Sequence, residues 1–240
     1  MNSVPSSGRR RGAAALLLTL VALLGHGIAQ AADPVTIARL QLRYGGDGED
    51  DILGATASLY HKLSNELYFL GIYDREGDPD LSSAQERTEL YVGRPFTWSP
   101  EAARFGWVLR LQNFSSDELI PAAGLQINLN DFDTLAAPLK RLGLYTFLQA
   151  FVKKDEPGWG EGELLHYYAF SLANKRVQVR GYNVFYLTGG DPVTLHAWSD
   201  FIHPLHRHWD VYVRLNYLSR KHHWLGENEL TGFLGTRYNF

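Results

Sequence analysis

The residues best suited to chemistry lie in one histidine-rich stretch near the end of the 240-residue sequence. Its polar candidates are His196, Ser199, Asp200, His203, His206 and His208. Hydrolysis requires a nucleophile within hydrogen-bond reach of a base. His196 and Ser199 are three residues apart, so a regular strand turns them to opposite faces and leaves Thr194 as the nucleophile beside His196. Lipid hydrolysis therefore stays open as an alternative function, although we expect no enzymatic activity.

The same stretch contains the only spacing that suggests a metal site. His206 and His208 are two residues apart, which places both imidazoles on one face of a strand. The nearby Pro204 indicates a turn instead, and a polar hairpin tip accounts for both histidines. The chain has no cysteine, which excludes thiol catalysis and thiolate-bound metals. We expect no metal and no cofactor.

A second set of polar residues falls on one face of several predicted strands. These candidates for a substrate-binding wall are Arg39, Arg43, Arg110, Asp210, Tyr212, Arg214 and Arg237. The nearest acidic partners in the pattern are Glu89, Asp210 and Asp74. The wall formed by the two ends of the chain has only Asp210 as a counter-ion, so we interpret it as a track for a small polar solute. The alternative is that charged pairs simply fill the barrel.

These residues are positioned by short stretches of alternating polar and apolar residues. The clearest is residues 123–130, and residues 105–113 and 209–217 repeat its pattern. Twelve candidate strands are predicted, at residues 35–44, 53–62, 66–74, 87–96, 105–113, 123–130, 143–153, 162–173, 176–188, 193–202, 209–217 and 230–240. A one-residue slip of the apolar pattern at Gly181 suggests a β-bulge. The segment 131–142 is long for a turn, so it is either a long connection or a sign that the strand count is wrong.

The last predicted strand ends in an aromatic residue. Phe240 and Tyr238 lie on its apolar face, and Arg237 lies on the other. Tryptophans 98, 107, 159, 198, 209 and 224 fall near strand ends, as expected for the aromatic girdles of a membrane barrel. These patterns predict an all-β fold, a single transmembrane antiparallel β-barrel of about twelve strands, with ten as the fallback. Phe240 and Tyr238 are the predicted assembly signal.

The first 31 residues have the features of a signal peptide. Arg9, Arg10 and Arg11 precede an apolar run at residues 13–24, and small residues at Ala29 and Ala31 fit a cleavage site. We therefore expect a cleaved segment at 1–31 and a barrel at 32–240. Three of the 23 basic residues and none of the 26 acidic ones lie in the signal peptide. The remaining acidic excess argues against binding to nucleic acid.

Several segments resemble the Tsx-like family of outer-membrane proteins, which includes nucleoside-specific channels. The similarity lies in residues 67–74, 88–98, 181–186, 198–201 and 235–240. The resemblance implies a twelve-stranded barrel in the cell outer membrane that contacts lipid and the barrel-assembly machinery. It also implies passive passage of a small polar solute, with a nucleoside as first choice. A plugged, structural barrel without transport is the alternative.

Overall fold

The chain forms a closed barrel of twelve β-strands in a computed structural model. The structure describes residues 35–46, 51–64, 66–79, 84–99, 101–114, 119–155, 158–172, 175–187, 193–219 and 230–240. The predicted signal peptide at 1–31 lies outside these residues and stays a prediction. The predicted fold class and the count of twelve strands are confirmed, so the fallback of ten is not needed.

The strands are long enough to cross a bilayer when tilted, since a transmembrane strand needs about 9–11 residues. Their bounds are β1 Val35–Gly46, β2 Asp51–Lys62, β3 Tyr68–Gly77, β4 Gln85–Pro95, β5 Phe105–Phe114, β6 Leu119–Asn128, β7 Tyr145–Asp155, β8 Gly158–Leu172, β9 Val177–Leu187, β10 Thr194–Pro204, β11 Trp209–Leu218 and β12 Leu230–Asn239. The one α-helix within the described residues, α1 (Asp133–Arg141), is short. No helix there has the length and apolar character that crossing a membrane would require.

Every strand pairs antiparallel with its neighbours in sequence, and β1 pairs with β12 to close the sheet. At this seam Arg39 lies opposite Asn239, and Gly46 lies opposite Gly232. Closure leaves no strand with an unpaired edge, which is the condition for a sheet to exist in lipid.

The two faces of the sheet differ because side chains alternate along each strand. In β12, Thr231, Phe233 and Arg237 are buried, while Leu230 and Leu234 on the alternate positions are exposed. The buried set faces the barrel interior (the lumen face), and the exposed set faces outward (the outer face). Exposed leucines, valines and aromatics recur on the outer faces of β1, β5, β6 and β11. An apolar outer band around a polar interior is the pattern of an outer-membrane barrel, and this places the chain in the outer membrane.

The two rims of the barrel have different connections. Both described chain ends lie at one rim (the terminal rim), which we expect to be periplasmic, and the other is the opposite rim. The segment between β6 and β7 lies at the terminal rim and contains α1. The 131–142 segment is thus a helical connection, not an error in the strand count. Asp133 in the first turn of α1 and Lys140 and Arg141 in its last turn match the helix dipole.

The predicted bulge at Gly181 is wrong, because β9 pairs in continuous register with both neighbours. Its apolar residues change face: Val177 and Val179 point outward, whereas Tyr182 and Val184 point into the lumen. Gly181 is needed for a close approach instead, since a Cβ there would lie 2.1 Å from the Trp198 carbonyl oxygen. A register shift does occur between β7 and β8, at Lys153 and Lys154.

Candidate functional site

All seven predicted wall residues lie on lumen faces. Those of β1, β12 and β11 form one continuous wall, because these strands are neighbours across the seam. Arg237 pairs in register with Gln41 on one side and with Asp210 on the other. Arg110 lies elsewhere, on β5. The dyad pattern therefore located these side chains correctly, while their role in binding a solute stays a prediction.

The expected shortage of counter-ions on this wall is wrong for Arg43 and Arg214, which pair with acids on other strands. Arg43 forms an ion pair with Asp74 at 2.9 Å and a second one with Glu76. Arg214 binds the two oxygens of Asp200 at 2.6 and 2.9 Å. These acids lie on β10, which borders the wall, and on β3, which is separated from the wall by β2. The missing negative charge therefore comes from strands outside the wall.

The third arginine, Arg237, is neutralised by Asp210. One carboxylate oxygen, Oδ2, accepts from Arg237 Nε at 2.8 Å and from Nη2 at 2.6 Å. The same oxygen accepts from Asn239 Nδ2 at 2.8 Å. The predicted pairing of Asp210 with a wall arginine is therefore confirmed.

Arg110 takes part in a different structure, a layer of side chains that bridges strands far apart in the sheet. It donates to both oxygens of Glu163 on β8, at 2.5 and 2.9 Å, and both residues are 3% exposed. Lys153 Nζ lies 3.3 Å from Glu163, and the Arg110 guanidinium stacks 4.2 Å from the Phe151 ring centroid. Glu89, one of the three acids expected to pair with the lumen arginines, accepts hydrogen bonds from Tyr91 and Gln112. We call Arg110, Phe151, Lys153 and Glu163 the paired layer.

Arg39 is the wall residue that has no counter-ion among the described residues. Within the described ranges Arg39 has no ion pair, and its buried Nε has no hydrogen-bond partner. Burial is the largest influence on the Arg39 guanidinium, followed by the like charges of Arg180 and Arg237, with smaller opposing contributions from Tyr167 and Asp210. Arg180, on β9, donates only to Gln178 Oε1, at 3.0 Å, and has no ion pair among those residues either. We call Arg39, Arg180 and Arg237 the cation cluster.

Arg180 is not predicted by the sequence pattern, because β9 shows no simple alternation. Its lumen face follows from its pairing with Asp200, whose carboxylate is taken by Arg214. The one signal available was the position of Arg180 two residues before Tyr182, on the same face of a strand.

Several buried polar atoms of the lumen lack partners in the part of the chain that the structure describes. They include Tyr212 Oη, Thr231 Oγ1 and Gln112 Oε1. Tyr212 is only 1% exposed. Buried polar groups without protein partners are normally satisfied by water or by a bound molecule. The lumen therefore offers hydrogen-bonding positions for water or a solute, beside apolar clusters such as that of Tyr91, Val108, Ala122 and Phe151.

Aromatic side chains lie in the lumen as well as at the rims. Tyr60 and Tyr68 stack with ring centroids 6.0 Å apart. Trp198 lies on the lumen face of β10 and packs against the Arg214 guanidinium at 5.0 Å, so its assignment to an aromatic girdle is wrong. Trp209 fits the girdle, since it is exposed on the outer face at the terminal rim and contacts Tyr238. The side chains of Trp159 and Trp224 lie outside the described residues.

The predicted assembly signal occupies the terminal rim. The Tyr238 ring contacts Trp209 on one side and Phe240 on the other, with centroids 4.9 and 4.8 Å away. The Phe240 N–H donates to the Ala38 carbonyl at 3.1 Å, and its side chain is 75% exposed. This lipid-facing position agrees with the strand pattern, and the assembly role stays a prediction.

The histidine-rich stretch divides between the two faces of β10, with Thr194 and His196 together on the lumen face, and the hydrolase alternative stays a prediction. His196 lies in the lumen, and its Nε2 contacts Asn216 Oδ1 at 2.8 Å. Ser199 faces outward and contacts the Tyr168 hydroxyl at 2.5 Å. His208 Nδ1 contacts the Asn239 carbonyl. Across the described residues no three acidic or histidine side chains are grouped as a metal site.

The comparisons with known proteins show the fold. A scan against protein-family models and a search of curated proteins found no match to the sequence. Among solved structures, the KdgM porin in complex with disordered oligogalacturonate aligns with a TM-score of 0.54 at 13% identity, covering 84% of this chain and 99% of that one. The NanC porin aligns with a TM-score of 0.55 at 8% identity, covering 86% and 100%. The Tsx-like resemblance stays an interpretation of the sequence. The chain has the porin-like barrel fold of these outer-membrane proteins.

Proposed function

We propose that the protein is a narrow, passive outer-membrane channel for a small anionic solute that carries carboxylate groups, such as an acidic saccharide. One observation carries the proposal: the cation cluster brings three guanidinium groups into the lumen, and Asp210, the acid beside them, is paired with Arg237. The carboxylate of Asp210 is already bound by Arg237, which leaves Arg39 and Arg180 available to a solute.

The physical reason is the free-energy cost of removing a charge from water without giving it a counter-ion. A buried cation without a counter-ion loses hydration that nothing in the protein restores. The planar guanidinium presents paired donors that match a carboxylate, so an anionic solute completes the site with strong, charge-assisted hydrogen bonds. Because Arg39 and Arg180 lie on β1 and β9, a solute between them would be held from two sides of the lumen.

The likeness to KdgM supports this choice of solute without deciding it. That porin is described in complex with disordered oligogalacturonate, a chain of carboxylate-bearing sugars. The shared feature is the fold alone, so the cation cluster of this chain carries the specificity argument.

The paired layer sets the size of the solute. Arg110, Glu163, Lys153 and Phe151 are all buried, so side chains fill their part of the lumen. A barrel of eight strands is filled by side chains and one of sixteen leaves a wide pore, which makes a narrow passage the expectation for twelve. The solute is therefore of the size of one or a few sugar rings.

A nucleoside is the second candidate, and the lumen aromatics favour it. The stacked pair of Tyr60 and Tyr68 and the lumenal Trp198 offer ring faces to a flat base. A nucleoside carries no carboxylate, so it would provide no counter-ion for the cation cluster. Block of the channel current by each solute distinguishes the two candidates.

The test is the current through purified protein in planar lipid bilayers. We expect anion-selective conductance in a salt gradient, and concentration-dependent block by a short oligogalacturonate but not by a neutral oligosaccharide of equal length. Block by uridine alone would favour the nucleoside. A barrel with neither conductance nor solute binding would favour the structural, plugged alternative and overturn the proposal.

Arg39→Gln is the decisive variant because its charge has no described ion-pair partner to disrupt. We expect it to weaken block by the acidic solute roughly tenfold, equivalent to about 1.4 kcal/mol. The matched control is Arg75→Gln, which makes the same change on the outer face of β3, where Arg75 lies 3.8 Å from Glu86. Equal effects of the two substitutions would count against the cation cluster as the binding site.

A further inference from the structure

Polar side chains form a hydrogen-bonded patch on the outer face of β7, β8, β9 and β10, where lipid is expected. The patch consists of Thr146, His166, Tyr168, Asn183 and Ser199, each on the face opposite to the lumen residues of its strand. Thr146 lies opposite Tyr168 in the ladder, and His166 lies opposite Asn183. Four neighbouring strands thus each contribute to one outward-facing polar surface.

Three of these residues are linked in a specific order. Thr146 Oγ1 lies 2.8 Å from His166 Nε2, and His166 Nδ1 lies 3.2 Å from the side-chain amide of Asn183. A hydroxyl, an imidazole and an amide joined through the two ring nitrogens have the connectivity of a nucleophile, its base and the group that orients the base. The three residues come from three different strands, so the pairing of these strands, and not sequence spacing, brings the hydroxyl, imidazole and amide together in this order.

Such a cluster is costly on a lipid-facing wall. Hydrocarbon offers no hydrogen-bond partners, so polar groups there are rare, and an ionisable one indicates function unless a structural need explains it. His166 is partly exposed on this wall and flanked along β8 by the apolar Leu164 and the aromatic Tyr168. No lumen residue requires His166 in this position.

The depth of Thr146 matches the ester linkages of membrane lipids. Thr146 is the second residue of β7, next to the connection that holds α1. Its backbone N–H donates to Asn130 Oδ1 in that connection, at 2.8 Å. The threonine therefore lies close to the terminal rim, where glycerolipid esters and water meet.

We propose that Thr146, His166 and Asn183 form an acyl-transfer site that acts on the ester of a glycerophospholipid in the surrounding membrane. Thr146 Oγ1 attacks the ester carbonyl while His166 Nε2 takes the hydroxyl proton. The carbon–oxygen bond to the glycerol breaks, and His166 returns the proton to the departing alcohol. Water then attacks the acyl-threonine with the same base, releasing a fatty acid and restoring the hydroxyl.

The orientation of the Asn183 amide determines which nitrogen of His166 can act as the base. In the structure Asn183 Nδ2 faces His166 Nδ1. A half-turn of the amide exchanges two groups of nearly equal size and presents Oδ1 instead. His166 then carries its proton on Nδ1, held by Asn183, and Nε2 accepts from Thr146. Asn183 acts as a positioning residue in this arrangement.

Thr146 is 4% exposed, so the hydroxyl is reached past its neighbours on the wall. The methyl group of threonine adds to that obstruction. Serine at this position keeps the hydroxyl and removes the methyl, and we therefore expect Thr146→Ser to retain the activity or raise it. This expectation distinguishes a nucleophile from a hydroxyl that only forms a hydrogen bond with His166.

The test is release of fatty acid from a defined glycerophospholipid by the purified, folded barrel in mixed micelles. We expect Thr146→Val to lower the rate at least about 100-fold, and His166→Ala to do the same. Asn183→Asp, which supplies an acceptor to Nδ1, should retain activity, whereas Asn183→Ala should lose roughly tenfold or more. Mobility of the unheated protein on gels verifies that each variant is folded.

The matched control is Thr236→Val, the same substitution at an exposed threonine on the outer face of β12, and we expect no loss of activity. Fatty-acid release and channel current are measured separately on the wild-type barrel, so the two functions can fail separately. Absence of fatty-acid release by the wild-type barrel, or equal activity of Thr146→Val and Thr236→Val, would overturn the proposal.

Discussion

The lumen contains two groups of cationic side chains, and the groups differ in whether acidic residues neutralise them. In the paired layer, Arg110 and Lys153 share Glu163, and all three are nearly inaccessible. In the cation cluster, Arg39 and Arg180 have no ion pair among the described residues, and Arg237 is the member that pairs with Asp210. The comparison teaches that a buried arginine is not by itself evidence of binding. We expect an arginine already bound by acids to stabilise the barrel, and one without an ion pair to be available to a solute.

The largest expected effect is on the paired layer. Glu163→Gln leaves Arg110 and Lys153 without their shared counter-ion, so we expect the free energy of unfolding to fall by about 3–5 kcal/mol. Unfolding of the vesicle-inserted protein by denaturant, followed by tryptophan fluorescence, measures this. Glu161→Gln is the control, because Glu161 lies 3.7 Å from Lys153 and is more exposed. A loss of about 0–1 kcal/mol is expected there. Equal losses would remove the distinction between the two regions.

The second effect tests the carboxylate that lies at the edge of the cation cluster. Asp210→Asn removes the one acid that answers Arg237, and we expect a loss of about 2–3 kcal/mol in unfolding free energy. The same substitution should make the channel more anion-selective, because three cations would then face the lumen. The reversal potential in a salt gradient measures the selectivity. A stability loss without any change in selectivity would mean that ions do not pass the cluster.

The third effect asks whether the paired layer is needed for stability or only for charge balance. The double substitution Arg110→Met and Glu163→Met removes both charges, and apolar replacements of similar size often preserve stability. We expect the double variant to lie within about 1 kcal/mol of the wild type, and well above Glu163→Gln. If the double variant is no more stable than Glu163→Gln, packing and not the unpaired charge explains the single loss.

The smallest effect on stability is expected at Arg39. Arg39→Gln removes a cation that has no ion pair in the described part of the chain, so the unfolding free energy should change by less than about 0.5 kcal/mol. Arg43→Gln makes the same change four residues along β1 but removes the ion pairs with Asp74 and Glu76. A loss of several kcal/mol is expected there. A costly Arg39→Gln would show that Arg39 is structural.

The sequence predicted the barrel well because alternation is a local property of each strand. Residues 209–217, for example, alternate so regularly that the pattern alone assigns their lumen side, and Asp210, Tyr212 and Arg214 lie on that side. Partners across the sheet could not be predicted in this way. Which side chains meet depends on the stagger between strands, and no single strand carries that information.

Arg110 illustrates the limit. Glu89, on the adjacent strand β4, lies opposite Gln112, yet Arg110 binds Glu163, which is three strands away in the other direction. The patch of Thr146, His166 and Asn183 gives no signal in the sequence for the same reason, because the three residues lie on three different strands. His196 stood out because histidines cluster around it in sequence, but its lumen position keeps it away from lipid.

The seam between β1 and β12 has a consequence for the order of events during biogenesis. Arg39 lies in the same ladder as Asn239, and the Phe240 N–H reaches the Ala38 carbonyl. Every other strand pair is local in the chain and can form as a hairpin soon after export. This last pairing joins segments almost a full chain length apart, so it has the highest entropic cost and should form last. Until then β1 presents an open edge to the periplasm, and a chaperone or insertion factor that pairs with that edge would protect the unfinished sheet from aggregation.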